Sequence, residues 1–262
     1  MVIKVESVFK RHPRLEIEEF IYEQLHSDGS TLDKGIPNIY YAAEGKIYYL
    51  IVMDKLGPSL EDLFIKCNKK FSLKTILMLA DQMLTRIEFV HKNGFLHRDI
   101  NQGNFIMGVG SNSHKLYIID FDFGGKCREK DGSHIKYEEN LNPIGNVYYS
   151  SINSNLGIKM SRRDDLESIA YMLIKFLRGS LPWDNIKVEK YFRDKILEKK
   201  LTELNYQTLE LFCMGIPVEF KTFLKSVMGL RFDEKPDYDF LRKIFQDLFK
   251  LNGYEFDYVY DW

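Results

Sequence analysis

The chain has 262 residues, 45% of them apolar and 14% aromatic, enough for one large or two small lobes around a sizeable core. Its 37 lysines and arginines against 38 acids leave a net charge of -1, so no long-range field gathers nucleic acid or an acidic membrane surface, and neither is expected as a partner. Cys67, Cys127 and Cys213 lie far apart with no CxxC, which argues against a disulfide framework or structural zinc. Together with the absence of a signal-like start or of an apolar run near the roughly 18 residues of a membrane span, this points to a cytoplasmic or nuclear protein.

In chain order, Pro13 to Ser27 carries Leu15, Ile17, Phe20, Ile21 and Leu25 among acids near a 3.6-residue period, which predicts a helix. Tyr40 to Ala43 and Lys46 to Met53 are rich in aromatic and β-branched residues and predict two strands joined by a turn at Glu44-Gly45. Ser72 is a good N-cap for a helix over Leu73 to Lys92, with an apolar stripe from Ile76 to Val90 and a stop at Asn93-Gly94. Further helices are predicted at Asp164 to Leu177, Lys187 to Lys199, Val218 to Met228 and Tyr238 to Leu251. The reading is an α+β chain with a small strand-bearing part and a larger, mainly helical part that meet near Asp54 to Gly57.

The segment richest in chemistry is His97-Arg98-Asp99-Ile100-Asn101-Gln102-Gly103-Asn104-Phe105, followed by Leu116-Tyr117-Ile118-Ile119-Asp120-Phe121-Asp122. A kinase catalytic loop places an Asp to orient the attacking hydroxyl and an Asn five residues later to hold magnesium, the spacing of Asp99 and Asn104. A second metal-holding Asp ends a short apolar strand before a Phe, and Asp120, 21 residues after Asp99, fits it. Asn104 and Asp120 supply the hard oxygens that Mg²⁺ prefers, with the phosphates of ATP completing the set. Either signal alone is weak. A capped helix, an HRD loop, Asn at plus five and a strand ending in Asp-Phe, in that order, together indicate the kinase plan. Upstream, Lys4 follows the apolar pair Val2-Ile3 as the kinase strand lysine does, and Glu18 lies on the first helix. An ion pair between them would hold Lys4 against the α- and β-phosphates.

Beyond these residues the chain resembles the casein kinase I family over nearly its whole length. The resemblance runs through Leu56-Gly57-Pro58-Ser59-Leu60-Glu61-Asp62-Leu63-Phe64, Ser161-Arg162-Arg163-Asp164-Asp165-Leu166-Glu167-Ser168, Gly179-Ser180-Leu181-Pro182-Trp183, Leu230-Arg231-Phe232-Asp233 and Asp257-Tyr258-Val259-Tyr260-Asp261-Trp262. It implies a bilobal protein kinase-like fold, with an incomplete N-lobe over 1-54 and a C-lobe over 55-262. It also implies ATP and Mg²⁺ as cofactors, and Ser/Thr of acidic or already phosphorylated proteins as acceptors. Met53 would be the gatekeeper, backbone groups of Asp54 and Leu56 would meet adenine, and Ile106 would be the apolar floor. Asp165 matches the buried helix aspartate that braces the catalytic loop.

Four departures bear on activity. The family has two strands and a glycine-rich loop before Val2-Ile3-Lys4, so a chain starting at Met1 is expected to lack most of the roof over adenine and to offer the edge of strand Met1 to Glu6 to another partner. Asn101 stands where the family has Lys, and Asp122 where it has the Gly of Asp-Phe-Gly. Leu141 and Tyr148 replace basic residues that receive a primed phosphate, while Arg98, Lys126, Arg162 and Arg163 are read as braces of the activation segment. Two functional expectations follow: a casein kinase I-like Ser/Thr protein kinase with Asp99, Lys4 and Glu18 in its catalytic machinery, or a degenerate pseudokinase serving as a binding scaffold.

Overall fold

The computed structural model describes residues 1–27 and 34–262. Strands β1 (Val2–Ser7), β2 (Ile39–Glu44) and β3 (Tyr48–Met53) form an antiparallel sheet in the order β1-β3-β2, with Lys4 opposite Ile51. Helix α1 (Leu15–His26) packs on it through Leu15, Glu18, Ile21, Tyr22 and Leu25, the i, i+3, i+4 stripe of a half-buried helix. No side chain of its own caps the start of α1; Glu6 of β1 does so instead, accepting from the Arg14 and Leu15 N–H groups at 2.6 and 2.9 Å. Strand and helix are thereby locked in register. Among the described residues nothing pairs with the outer edge of β1, and Val2, Ile3 and Val5 stand exposed there.

The larger part is helical: α2 (Leu60–Lys66), α3 (Leu73–Lys92), α4 (Ile152–Asn155), α5 (Arg162–Arg178), α6 (Phe192–Glu203), α7 (Leu209–Phe212), α8 (Val218–Met228) and α9 (Tyr238–Leu251). The Ser72 hydroxyl accepts from Thr75 N–H as an N-cap should, and Asn93 closes the far end of α3. Helices α3 and α5 pack against each other at the centre, with α9 on α3 and α8 on α5. Each fully buried Leu, Ile or Met side chain here contributes about 1.5–3 kcal/mol of transfer free energy. Between α3 and α4 run four short strands, β4 (Phe95–Leu96), β5 (Phe105–Met107), β6 (Leu116–Ile118) and β7 (Gly125–Lys126), paired β4-β7 and β5-β6.

The predicted helices at Val218 to Met228 and Tyr238 to Leu251 are present with those bounds, and α5 begins two residues before its predicted start, on Ser161. The helix predicted at Lys187 to Lys199 is displaced. Tyr191 takes a left-handed conformation (φ 66) that interrupts the chain, so α6 starts at Phe192 and continues to Glu203. All three cysteines carry free thiols, Cys127 and Cys213 being buried, and among the described residues no helix is long and apolar enough to cross a membrane.

Candidate active site

The two-residue period of a strand puts Lys4 on the face of β1 that carries Glu6, and Glu6 is fixed against the start of α1. Lys4 therefore points at α1, where its Nζ meets Glu18 Oε2 at 2.5 Å. Of Glu16, Glu18 and Glu19, only Glu18 falls on the buried stripe, and its carboxylate, 1% exposed, needs a cation. Lys4 also reaches Asp120 Oδ1 at 2.7 Å and Asp122 Oδ1 at 3.0 Å. Carboxylate oxygens of Glu18, Asp120 and Asp122 lie within 4.8 Å of one another. Burial works against a charged Lys4, but Glu18 and Asp120 outweigh it and hold the ammonium well above the usual lysine range. Burial also pushes Glu18 up to about 8, with Lys4 pulling against it and Asp122 adding to it.

The loop after β4 is fixed from below by α5. The His97 and Arg98 N–H groups donate to the Asp165 carboxylate at 2.9 and 2.8 Å, and His91 Nε2 adds a third bond at 2.9 Å. Two successive N–H groups converge on one carboxylate because Arg98 is left-handed (φ 64), a strain of about 1–3 kcal/mol that these bonds offset. Burial tends to raise the Asp165 carboxyl; the His91 hydrogen bond and charge outweigh burial and hold it below the usual range. The Arg98 guanidinium donates to the carbonyls of Phe123 and Gly124, bracing the segment after Asp120 as expected. A Cβ at Gly125 would lie 2.2 Å from Arg98 Nη2, so only glycine leaves room for that brace. Arg162 and Arg163, read as braces of the same segment, instead donate to the carbonyls of Asp233 and Leu230 between α8 and α9, and Lys126 lies over the Phe20 ring of α1.

Phe121 is fully buried between the rings of Tyr22 and His97, at 5.2 and 4.9 Å. Phe123, by contrast, is half-buried beneath the Arg14 guanidinium. The Asp-Phe pair locked into the core is thus Asp120-Phe121. In the β5-β6 hairpin Phe105 pairs with Ile118, so Asn104 and Asp120 flank the same end, and Ile119 N–H donates to the Asn104 carbonyl at 3.0 Å. Asn104 Nδ2 donates to the Asp99 carbonyl at 2.9 Å and to Asp99 Oδ2 at 3.1 Å. Asp99 Oδ1 accepts from the Asn146 N–H at 2.6 Å. That approach depends on Gly145, whose φ is 75 and whose added Cβ would lie 2.4 Å from the Arg98 carbonyl oxygen. Lys4, Glu18 and Asp120 thus form one bonded group and Asp99 and Asn104 another, the two adjoining through the Ile119 N–H bond to Asn104.

The family model of the protein kinase domain matches residues 3–244. The chain belongs to the protein kinase family.

In this kinase domain the segment that leaves β3 is tied to β5: Gly57 N–H donates to the Met107 carbonyl at 2.8 Å and Met107 N–H to the Pro58 carbonyl at 3.0 Å. Met53 is buried and Leu56 half-buried along it, and Ile106 is turned away from its buried neighbours Phe105 and Met107 by strand alternation. Asp54 N–H donates to the Asn38 carbonyl, and its carboxylate accepts from Asn38 and Tyr40. The Asp120 carboxylate and the amide oxygen of Asn104, whose Nδ2 is committed to Asp99, are hard oxygen donors of the kind Mg²⁺ takes. The donor set fits that ion.

Four further groups complete the site: Asp122 and Asn101, which the sequence marks only as departures from the family pattern, and Asn146 and Lys200, which it does not single out. Asp122 is a third partner of Lys4, Asn146 supplies an N–H to Asp99, and Asn101 Nδ2 donates to the Asp99 carbonyl and Oδ2 at 3.0 and 3.2 Å. Lys200, fully buried, donates to the carbonyls of Val147 and Ser150 beneath the same segment. A signal for it exists: it lies one turn after Ile196 on the buried face of α6, where a lysine needs acceptors. Beside Asn101 and Gln102 opens a cavity of about 590 Å³, lined also by Glu61, Tyr148, Lys175 and Asp184. Lys175 and Asp184 pair there at 3.0 Å.

Proposed function

We propose that this kinase domain is a casein kinase I-like Ser/Thr protein kinase, with residues 1-54 as the smaller lobe and 55-262 as the larger. The observation that carries the reading is a pair of hydrogen-bonded groups, Lys4 with Glu18 and Asp120 and Asp99 with Asn104, set side by side by the Ile119 N–H bond to the Asn104 carbonyl. In it Asp99 receives and orients the acceptor hydroxyl, and Lys4, held by Glu18, grips the α- and β-phosphates. Met53, Asp54, Leu56 and Ile106 line the adenine side, while Asn104 and Asp120 hold the metal. Mg²⁺, when bound, neutralises charge on the phosphates of ATP. The new bond joins the acceptor oxygen to the γ-phosphorus, ADP leaves, and the hydroxyl proton passes toward Asp99. The acceptor segment lies in the cavity beside Asn101 and Gln102. Of the lining residues Tyr148 brings no cation and Lys175 is already paired, which leaves Lys69 to meet an acidic or primed acceptor. The unpaired outer edge of β1 is the proposed surface for a further protein partner.

A second reading, a scaffold with weak or no turnover, is favoured by the neutral Asn101 and by the hold of Asp122 on Lys4. One experiment separates the two. Magnesium-dependent transfer of phosphate from ATP to casein is expected from the wild type and is expected to be lost in D99N. Equal transfer by D99N removes Asp99 from its role; no transfer by either protein, with a melting temperature indifferent to Mg-ATP, leaves the scaffold.

A further inference from the structure

The Asp99 carboxylate is surrounded by neutral donors. Oδ1 accepts from Asn146 N–H, while Oδ2 accepts from Asn104 Nδ2 at 3.1 Å and Asn101 Nδ2 at 3.2 Å. No lysine or arginine is paired with it among the described residues. Asn101 is itself fixed: its Oδ1 accepts from Gly103 N–H at 2.9 Å, capping the 3₁₀ turn over Gln102–Asn104, so its amide cannot rotate without losing that cap. A Cβ on Gly103 would lie 3.1 Å from Asn101 Oδ1, closer than a side chain there sits comfortably, so glycine admits the cap.

We infer that Asn101 is a positioning residue for Asp99. One end of its amide is pinned by the turn, and the other presents a neutral N–H that fixes which way the Asp99 carboxylate faces. The inference rests on the reading that Asp99 meets the acceptor hydroxyl. A donor on Oδ2 fixes the orientation of the carboxylate and leaves Asp99 a lone pair with which to take a hydrogen bond from that hydroxyl. The two asparagines divide the work: Asn104 spends its amide nitrogen on Asp99 and keeps its oxygen for the metal, whereas Asn101 spends its nitrogen on Asp99 and its oxygen on the turn.

Steady-state transfer to casein tests this with wild type, D99N, N101A, N101D and N101K. N101D retains an acceptor for Gly103 N–H and cannot donate; N101A loses both; N101K loses the cap but restores a donor within reach of Asp99. The expected result is a kcat lowered about 10- to 100-fold in N101A and N101D, the scale of a misplaced catalytic group, with KM for ATP within about twofold, and recovery of most of that loss in N101K. Melting temperature sorts the cap from the donor: N101D keeps the wild-type value while losing kcat. The inference is overturned if N101D turns over like wild type, or if N101K is as slow as N101A while wild type is active and D99N is not. Loss of casein transfer in wild type itself overturns the kinase reading, and the inference with it, and is distinguished from either of those results.

Discussion

Lys4 holds three carboxylates at once, and only two of them, Glu18 and Asp120, belong to the arrangement that the proposed chemistry requires. Asp122 is the surplus. On the proposed reading it would compete with the phosphates for the ammonium, and burial, which tends to raise its carboxyl, is outweighed by its hydrogen bond with Glu18 and by Lys4, so it titrates below the usual carboxylate range. Asp122→Gly is therefore expected to tighten Mg-ATP binding about fivefold, the ~1 kcal/mol scale of a part-exposed ion pair. Isothermal titration reads the change directly, and an unchanged or weaker affinity shows that Asp122 does not compete for Lys4. Glu18 is legible in the sequence, since it alone among its acidic neighbours falls on the stripe set by Leu15, Tyr22 and Leu25. Asn101 is legible only as a departure from a pattern. Its contact with Asp99 depends on the turn that Gly103 permits, and no periodicity encodes a loop of that kind.

At the scale of elements, the strong periods translate directly into structure. Helices α8 and α9 are readable from apolar stripes because each buries one face, which is the condition under which a 3.6-residue pattern must appear, whereas α3, buried all round from Thr75 to Ala80, is delimited by its Ser72 cap and its stop at Asn93. Helix α6 is displaced from its predicted place because its amphipathicity is faint: of its residues only Ile196 and Lys200 are buried, and a backbone reversal at Tyr191 outweighs propensity in setting its start. The strands β4 to β7 are two or three residues long, too short for alternation to be seen, yet the β5-β6 register is what brings Asn104 beside Asp120. Loops carry the rest of the site through positive φ angles, and Gly145 is the clearest case. Gly145→Ala is expected to destabilise the protein by about 1–3 kcal/mol and to remove the Asn146 bond to Asp99, because a Cβ cannot occupy that position without displacing the Arg98 carbonyl. Urea unfolding and the rate of casein phosphorylation measure the two effects separately. A stable variant with full activity shows that the loop accommodates the methyl group.

Across the whole molecule, the N-terminal acids of α5 and the lysine of α6 form a buried frame of ionisable side chains under the segment from Val147 to Ser161. Asp164 accepts from the Ser151 hydroxyl and Ser161 N–H, Glu167 from Ile152 N–H and the Tyr171 hydroxyl, and Lys200 donates to Val147 and Ser150. Burial lowers Lys200 to about 7, with Glu167 pulling the other way. Between about 7 and the ordinary lysine value of 10.5 the unfolded chain binds a proton that the folded one has lost, so this group makes stability rise with pH in that window. Wild type is accordingly expected to gain stability relative to Lys200→Met as pH is raised from about 7 to about 9, measured by urea denaturation at both values. A difference that stays flat or shrinks means that Lys200 remains charged in the fold. A tie of another kind spans 189 residues, where Ser72 N–H at the start of α3 donates to Asp261 Oδ2, with Lys74 held by Asp257 nearby. During synthesis α3 can form on its own Ser72 cap long before that partner exists. The central helix is therefore available early as a local nucleus, while the final closure around its first turn awaits a contact of very high sequence separation, placing a slow, topology-limited step at the end of folding.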